Sequence, residues 1–197
     1  MIVLIGGEKG GAGKSTLATN LAAYLATQDK DVILLDCDKQ GTATKWVARR
    51  NEAGYKEVHS AQKVGDVYKT AVDLSKRYEY VIIDAGGRDS KELRTALVAA
   101  DMVYVPLKAS QADLETLPVV DELINLARGM NPNLQARSIL CMAPTNEMIR
   151  EVDDAKELLA DFNSEVKAGQ RIARLDQDKL KASGAQAAAD VTAAKAQ

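Results

Sequence analysis

Two lysines, a serine–threonine pair and three aspartates hold most of the chemistry this 197-residue chain can perform. Residues 6–16 read Gly6-Gly7-Glu8-Lys9-Gly10-Gly11-Ala12-Gly13-Lys14-Ser15-Thr16, directly after the apolar run Ile2-Val3-Leu4-Ile5. A strand, a glycine-rich turn and a helix start in that order form a phosphate-binding loop. A helix N-terminus presents unpaired N–H groups and partial positive charge, so it attracts phosphate. Glycines let such a backbone wrap an anion with no side chain in the way. Gly10, Gly11, Ala12, Gly13, Lys14, Ser15 and Thr16 are therefore the expected nucleotide-binding residues. Lys14 is placed to reach the β- and γ-phosphates, and the Ser15 hydroxyl to ligate Mg²⁺. The bound molecule implied is a nucleoside triphosphate.

The aspartates stand where strands end. Asp36 and Asp38 follow Val32-Ile33-Leu34-Leu35, and Asp84 follows Tyr80-Val81-Ile82-Ile83. Mg²⁺ takes octahedral oxygen ligands, usually one or two carboxylates with water and phosphate oxygens. A further carboxylate can orient the attacking water. Aspartate at a strand-to-loop junction is also a common turn or cap residue. Three such positions beside one phosphate loop favour the site reading.

The elements that must position these groups follow from periodicity. Strands are expected over Ile2 to Ile5, Asp31 to Asp36, Lys56 to His59, Tyr80 to Asp84, Asp101 to Leu107 and Ser138 to Met142. Helices are expected over Lys14 to Ala26, Lys45 to Glu52, Val64 to Arg77, Ser90 to Ala100, Asp113 to Arg128 and Asn146 to Phe162. Ser90 is the expected cap of its helix, and Pro118 interrupts the pattern of the fifth. Apolar strands alternating with helices mean an α/β fold, with a mostly parallel sheet covered on both faces. Ligands of such sheets bind beyond the C-terminal strand ends. Length supports one domain, read as residues 1–175. A last short strand is expected over Gly169 to Leu175, and an alanine-rich tail at 176–197 has little to bury.

Composition narrows the classes. Charged residues make up 27% and net charge is −2, so no global basic field drives polyanion binding. One Trp, one Phe and six Tyr are too few for a base-stacking platform. Cys37 and Cys141 lack metal-ligand or redox spacing, which fits reduced thiols in a cytoplasmic protein. The apolar start is too short for a signal peptide or a membrane span.

One feature of the loop departs from the usual pattern. Where glycine is common, five residues before Gly13, stands Glu8, and a second lysine, Lys9, follows it. The order Lys-Gly-Gly-X-Gly-Lys-Ser-Thr resembles the deviant Walker A box of the ParA/MinD ATPases, closest to the small ParA plasmid-partition proteins. The resemblance implies a P-loop fold, ATP and Mg²⁺ as ligands, and ATP-dependent homodimers. Lys9 would reach across the dimer to the partner's nucleotide and act there in catalysis beside Lys14.

The resemblance extends to other stretches. Asp36-Cys37-Asp38-Lys39-Gln40-Gly41 looks like the family's Asp-X-Asp-Pro-Gln box, with Lys39 in place of proline. Asp38 would act on the catalytic water, and Asp36 near the magnesium. Asp84 to Ser90 resembles the Walker B box and second switch. Ser15, Asp36 and Asp84 would together hold the metal. Arg88 is read as an internal charge stabiliser or a surface ion pair, Trp46 as packing. Asp101 to Pro106, Ser110 and Asp113 resemble a further motif in which Asp113 would cap a helix at the dimer face. Asn146 would read the adenine or cap the following helix.

Family analogy also supplies partners: a ParB-like centromere-binding protein that stimulates hydrolysis, and nonspecific DNA bound by the ATP dimer. Lys167, Arg171 and Arg174 are the expected DNA-contacting residues. Residues 163–197 hold six Lys/Arg against four Asp/Glu. With the first strand at Ile2, no DNA-reading module is expected ahead of it. A MinD-like membrane-positioning role would require an amphipathic C-terminal helix, which is not visible, so no membrane partner is expected. A tyrosine-kinase relative should show a C-terminal tyrosine cluster, and no tyrosine follows Tyr104. A small-molecule enzyme of the same fold and an ATPase that positions protein organelles remain alternatives.

Overall fold

The fold is taken from a computed structural model that describes residues 1–87, 89–142 and Ala155. Among them, six strands form one sheet in the order β3-β2-β4-β1-β5-β6. The strands are β1 (Ile2–Ile5), β2 (Val32–Asp36), β3 (His59–Gln62), β4 (Tyr80–Asp84), β5 (Met102–Leu107) and β6 (Gln135–Leu140). All five pairings are parallel. The helices are α1 (Lys14–Thr27), α2 (Thr42–Glu52), α3 (Tyr68–Ser75), α4 (Lys91–Ala99), α5 (Gln111–Leu114) and α6 (Leu117–Arg128).

Strand alternation sorts the core into two layers. Val3, Ile5, Val32, Leu34 and Ile82 face Ala18, Ala22 and Ala26 of α1 and Ala43 and Val47 of α2. Ile2, Leu4, Ile33, Leu35, Val81 and Ile83 face α3, α4 and α6 through residues such as Ala71, Leu93, Leu97 and Val120. The three buried alanines of α1 let that helix lie close on β1 and β4, so its N-terminus is fixed against the sheet end. The expected α/β architecture with helices on both faces is present.

Several boundaries differ from the periodicity reading, each for a local reason. Helix α2 starts at Thr42, three residues early. Gly41 turns the chain at φ 62°, and Asp36 Oδ2 accepts the Thr44 amide at 2.9 Å, acting as a remote cap. Strand β3 starts at His59 rather than Lys56. The Asn51 side chain takes both backbone groups of Val58, so pairing with β2 begins one residue later. Helix α3 starts at Tyr68 rather than Val64. Gly65 has φ 85° and its amide donates to Glu92 Oε1. The single helix expected over Asp113 to Arg128 is two helices, with Pro118 in the first turn of α6, where its missing N–H costs nothing. Strand β6 begins at Gln135, paired with Met102, rather than at Ser138. Ser90 caps α4 as expected, its Oγ accepting the Leu93 amide. The helix expected at Asn146 to Phe162 lies outside the described residues except for Ala155, which is buried. The expected strand at 169–175 and the tail lie outside them too.

Candidate nucleotide site

The chain leaves β1 through Gly6, whose amide donates to the Tyr104 carbonyl, and turns over the sheet end before α1 begins. Gly11 (φ 74°) and Gly13 (φ 96°) take left-handed backbone conformations that only glycine adopts without strain. The turn delivers the first amides of α1 to the centre of the sheet edge, where β1 lies between β4 and β5. That is where the strand connections reverse direction, the usual ligand crevice of an open α/β sheet.

Lys14 is buried to 8% exposure, and its Nζ donates to the Lys9 carbonyl at 2.5 Å. Burial holds it below the ordinary lysine range, while Asp84, Asp38 and Asp113 pull the other way. A Cβ added at Gly87 would sit 3.2 Å from the Glu8 carbonyl oxygen and 3.3 Å from Lys14 Nζ. One at Gly86 would sit 3.5 Å from Asp38 Oδ2. The loop after β4 thus closes directly on the phosphate loop, and the close approach leaves little room for a side chain at Gly87, while Gly86 lies in ordinary contact with Asp38. Asp38, Lys14, Gly86 and Gly87 converge on one spot.

Asp84 is buried to 1% exposure at the end of β4. Burial raises its pKa to about 6, with Asp36 and Asp38 adding repulsion, while a hydrogen bond from Ser15 and the charge of Lys14 oppose this. Its Oδ2 is buried with no hydrogen-bond partner among the described residues. An orphaned carboxylate oxygen beside a serine hydroxyl is the donor set a hard, oxygen-seeking cation satisfies. Ser15 and Asp84 therefore fit a Mg²⁺ site. Asp36 is placed differently. Its Oδ1 accepts the Asp38 amide at 3.0 Å and its Oδ2 accepts Thr44. It fastens the loop that carries Asp38 and secures α2 to the site. Cys37 lies between them, its thiol pushed up to about 12 by burial and the neighbouring carboxylates, and so inert.

Lys9 stands at the rim. Its Nζ donates to the Ala112 carbonyl at 3.0 Å and lies 3.8 Å from Asp113 Oδ1, with the side chain 39% exposed. Asp113 is not the helix cap expected from its motif. It is buried inside α5, accepting the Lys108 amide at 2.9 Å and the Ser110 hydroxyl at 3.3 Å, and Ser110 is the N-cap residue. Sequence spacing missed this partnership because 103 residues separate Lys9 from Ala112. It also missed Gln62, whose Nε2 donates to the Asp38 carbonyl at 2.9 Å and braces the loop from the edge strand.

Residues 3–184 match the family described as the CobQ/CobB/MinD/ParA nucleotide binding domain. The chain belongs to this family. The ParA/MinD box therefore sits in its proper frame, and the protein is an ATPase of that type. It is 29% identical over 193 residues to the chromosome-partitioning ATPase Soj of Thermus thermophilus, an alignment covering 83% of this chain and 78% of that protein. Its fold matches a plasmid partition protein of Borrelia burgdorferi bound to AMPPNP, at a TM-score of 0.64 and 20% identity, covering 91% and 93% of the two chains. It also matches cobyrinic acid a,c-diamide synthase of Mycobacterium smegmatis with bound ADP and magnesium, at a TM-score of 0.63 and 21% identity, covering 81% of each. One fold thus serves both a partition protein and a small-molecule enzyme. No helix among the described residues is long and apolar enough to cross a membrane. Arg88, Asn146, Lys167, Arg171 and Arg174 lie outside the described residues.

Proposed function

We propose that this ParA/MinD-type ATPase is a nucleotide-gated dimer that partitions plasmid or chromosomal DNA. The observation that carries the reading is the separation of the two loop lysines. Lys14 is drawn inward onto the loop's own carbonyl, while Lys9 is turned outward to the rim, where a second subunit can meet it. In this reading the amides of Gly10 to Thr16 and the Lys14 ammonium grip the β- and γ-phosphates of ATP. Ser15 and Asp84, with Asp36 behind them, would hold Mg²⁺, which would supply charge neutralisation on the phosphates. Asp38, against Gly86, orients the attacking water. Lys9 leaves Ala112 and crosses to the partner's phosphates, so that nucleotide state sets the oligomeric state. Loss of the γ-phosphate releases the loops that carry Asp38 and Gly87.

The partners that go with this reading are a ParB-like centromere-binding protein that speeds hydrolysis and nonspecific DNA that holds the ATP dimer at the nucleoid. The similarity to Soj supports it. Asp38→Ala is expected to trap the ATP dimer. Light scattering with ATP and Mg²⁺ should give twice the monomer mass with turnover at least tenfold slower. DNA co-sedimentation should then depend on ATP. Normal turnover in Asp38→Ala removes that residue from the chemistry, and ATP-independent sedimentation removes the switch.

A further inference from the structure

Helix α2 carries a basic face that the site does not use. Between Lys39 and Lys63 the sequence holds six Lys/Arg against two Asp/Glu, in a chain whose acids outnumber its bases. Thr42, Lys45, Ala48, Arg49 and Glu52 are exposed, while Ala43 and Val47 are buried against the sheet. Lys45 and Arg49 therefore share the outward face one turn apart, with the small Ala48 beside Arg49 and Glu52 at the far end. Among the described residues, neither Lys45 nor Arg49 has a carboxylate within 4.0 Å.

Helix stability does not explain both cations. Arg49 and Arg50 lie in the last turn, where they complement the helix dipole. Lys45 lies in the first turn, at the positive end, where a cation is unfavourable. It swings back to the Gln40 carbonyl at 2.9 Å, over the loop that carries Asp38. Arg50 is fixed by the Lys56 carbonyl and by the Tyr55 ring, 5.5 Å from its guanidinium carbon.

We propose that the outward face of α2, centred on Lys45, Ala48 and Arg49, is a docking strip for the phosphate backbone of double-stranded DNA. This rests on the DNA-binding reading above and assigns it a surface other than Lys167, Arg171 and Arg174. A polyanion fits better than a protein. Protein interfaces centre on buried aromatic or aliphatic anchors, and none of the exposed large apolar side chains belongs to α2. Lys45 and Arg49 are about 6 Å apart along the axis, a reach that takes in two phosphates of one strand. The strip is also tied to the nucleotide site, because the first turn of α2 hangs on Asp36 through the Thr44 amide.

The test measures DNA affinity of the full-length ATP-bound protein by fluorescence anisotropy across a salt series. Lys45→Gln/Arg49→Gln should weaken binding at least tenfold and lower the log–log salt slope by about 2 per chain. Ala48→Glu removes no contact of the native protein and should weaken binding by a similar factor. Both should keep wild-type affinity for a fluorescent ATP analogue and wild-type dimerisation. Unchanged DNA binding in both, with loss in a Lys167→Gln/Arg171→Gln/Arg174→Gln variant, overturns the strip and leaves the DNA reading intact. Loss of polyglutamate binding with DNA binding unchanged assigns the face to an acidic protein and also overturns the proposal. A wild-type protein that never binds DNA with ATP overturns both readings.

Discussion

The inner wall of the site and its rim are built from one loop, yet they are held in opposite ways. At the wall, Lys14 is nearly sealed from solvent, with Asp84 beside it and Gly87 closing over its Nζ. At the rim, Lys9 keeps more than a third of its side-chain exposure and rests on a carbonyl of α5. Buried charge is costly unless a partner compensates it, so the wall is arranged to receive an anion and a cation. The exposed lysine at the rim is screened and loosely bound, and little energy is needed to redirect it. In the proposed function this difference separates binding from switching: Lys14 would grip the nucleotide, and Lys9 would report it to a neighbour.

The largest effect should come from the wall. Hydrogen bonds to charged groups contribute about 1.5–3 kcal/mol each, so Lys14→Ala, which removes contacts to two phosphates, should weaken ATP binding by at least about 100-fold. Titration of a fluorescent ATP analogue checks this, and retained micromolar affinity contradicts the loop assignment. Lys9→Ala should separate the regions. ATP affinity should stay within about threefold of wild type, because a solvent-exposed cation adds little in the monomer, while ATP-dependent dimerisation and hydrolysis are lost. Unchanged dimerisation by light scattering refutes the cross-interface role.

Asp84 has its pKa raised from 3.8 to about 6 in the folded protein. The native state therefore binds this proton more tightly than the unfolded chain. Nucleotide-free stability should fall as pH rises from about 4 to about 6 and stay reduced above that, by up to about 3 kcal/mol. Asp84→Asn should remove this pH dependence and raise the nucleotide-free melting temperature at pH 7, while weakening Mg²⁺-dependent ATP binding. A variant that melts lower than wild type at pH 7 shows that the carboxylate is compensated without a metal.

The wall was legible in the sequence because it is local. Gly10 to Thr16 are contiguous, and Asp36 and Asp84 each end an unbroken apolar run that a parallel sheet brings to one edge, with Asp38 two residues beyond Asp36. The sheet itself could be read from Ile2 to Ile5, Val32 to Leu35 and Val81 to Ile83, which are buried on both faces and so carry no polar interruption. The rim was not legible. Asp113 was expected to cap a helix because Asp101 to Pro106, Ser110 and Asp113 resemble a family motif in which that aspartate does so. Its actual work, accepting the Lys108 amide and facing Lys9, depends on a contact made only after β1 and β5 pair. The early start of α2 was hidden for the same reason, since its cap is Asp36, eight residues before the amide it accepts. Position-to-position spacing reads elements; it does not read side chains that reach from one strand end to another helix.

The smallest expected effect tests how Lys9 is held. Asp113→Asn keeps an oxygen to accept the Lys108 amide and removes the charge 3.8 Å from Lys9 Nζ. With Lys9 partly exposed, the ion pair contributes at most about 1 kcal/mol. If the rim contact restrains Lys9 in the single subunit, its loss should tighten the ATP-dependent dimer by up to about fivefold, read from the concentration dependence of light scattering. The Ala112 carbonyl would still hold the ammonium, which keeps the gain small. An unchanged dimer constant assigns the restraint to that carbonyl alone. A weaker dimer reverses the sign and gives Asp113 a place in the closed state, receiving the lysine that crosses from the other subunit. The direction of this small shift therefore tells whether the rim stores Lys9 before dimerisation or meets its counterpart afterwards.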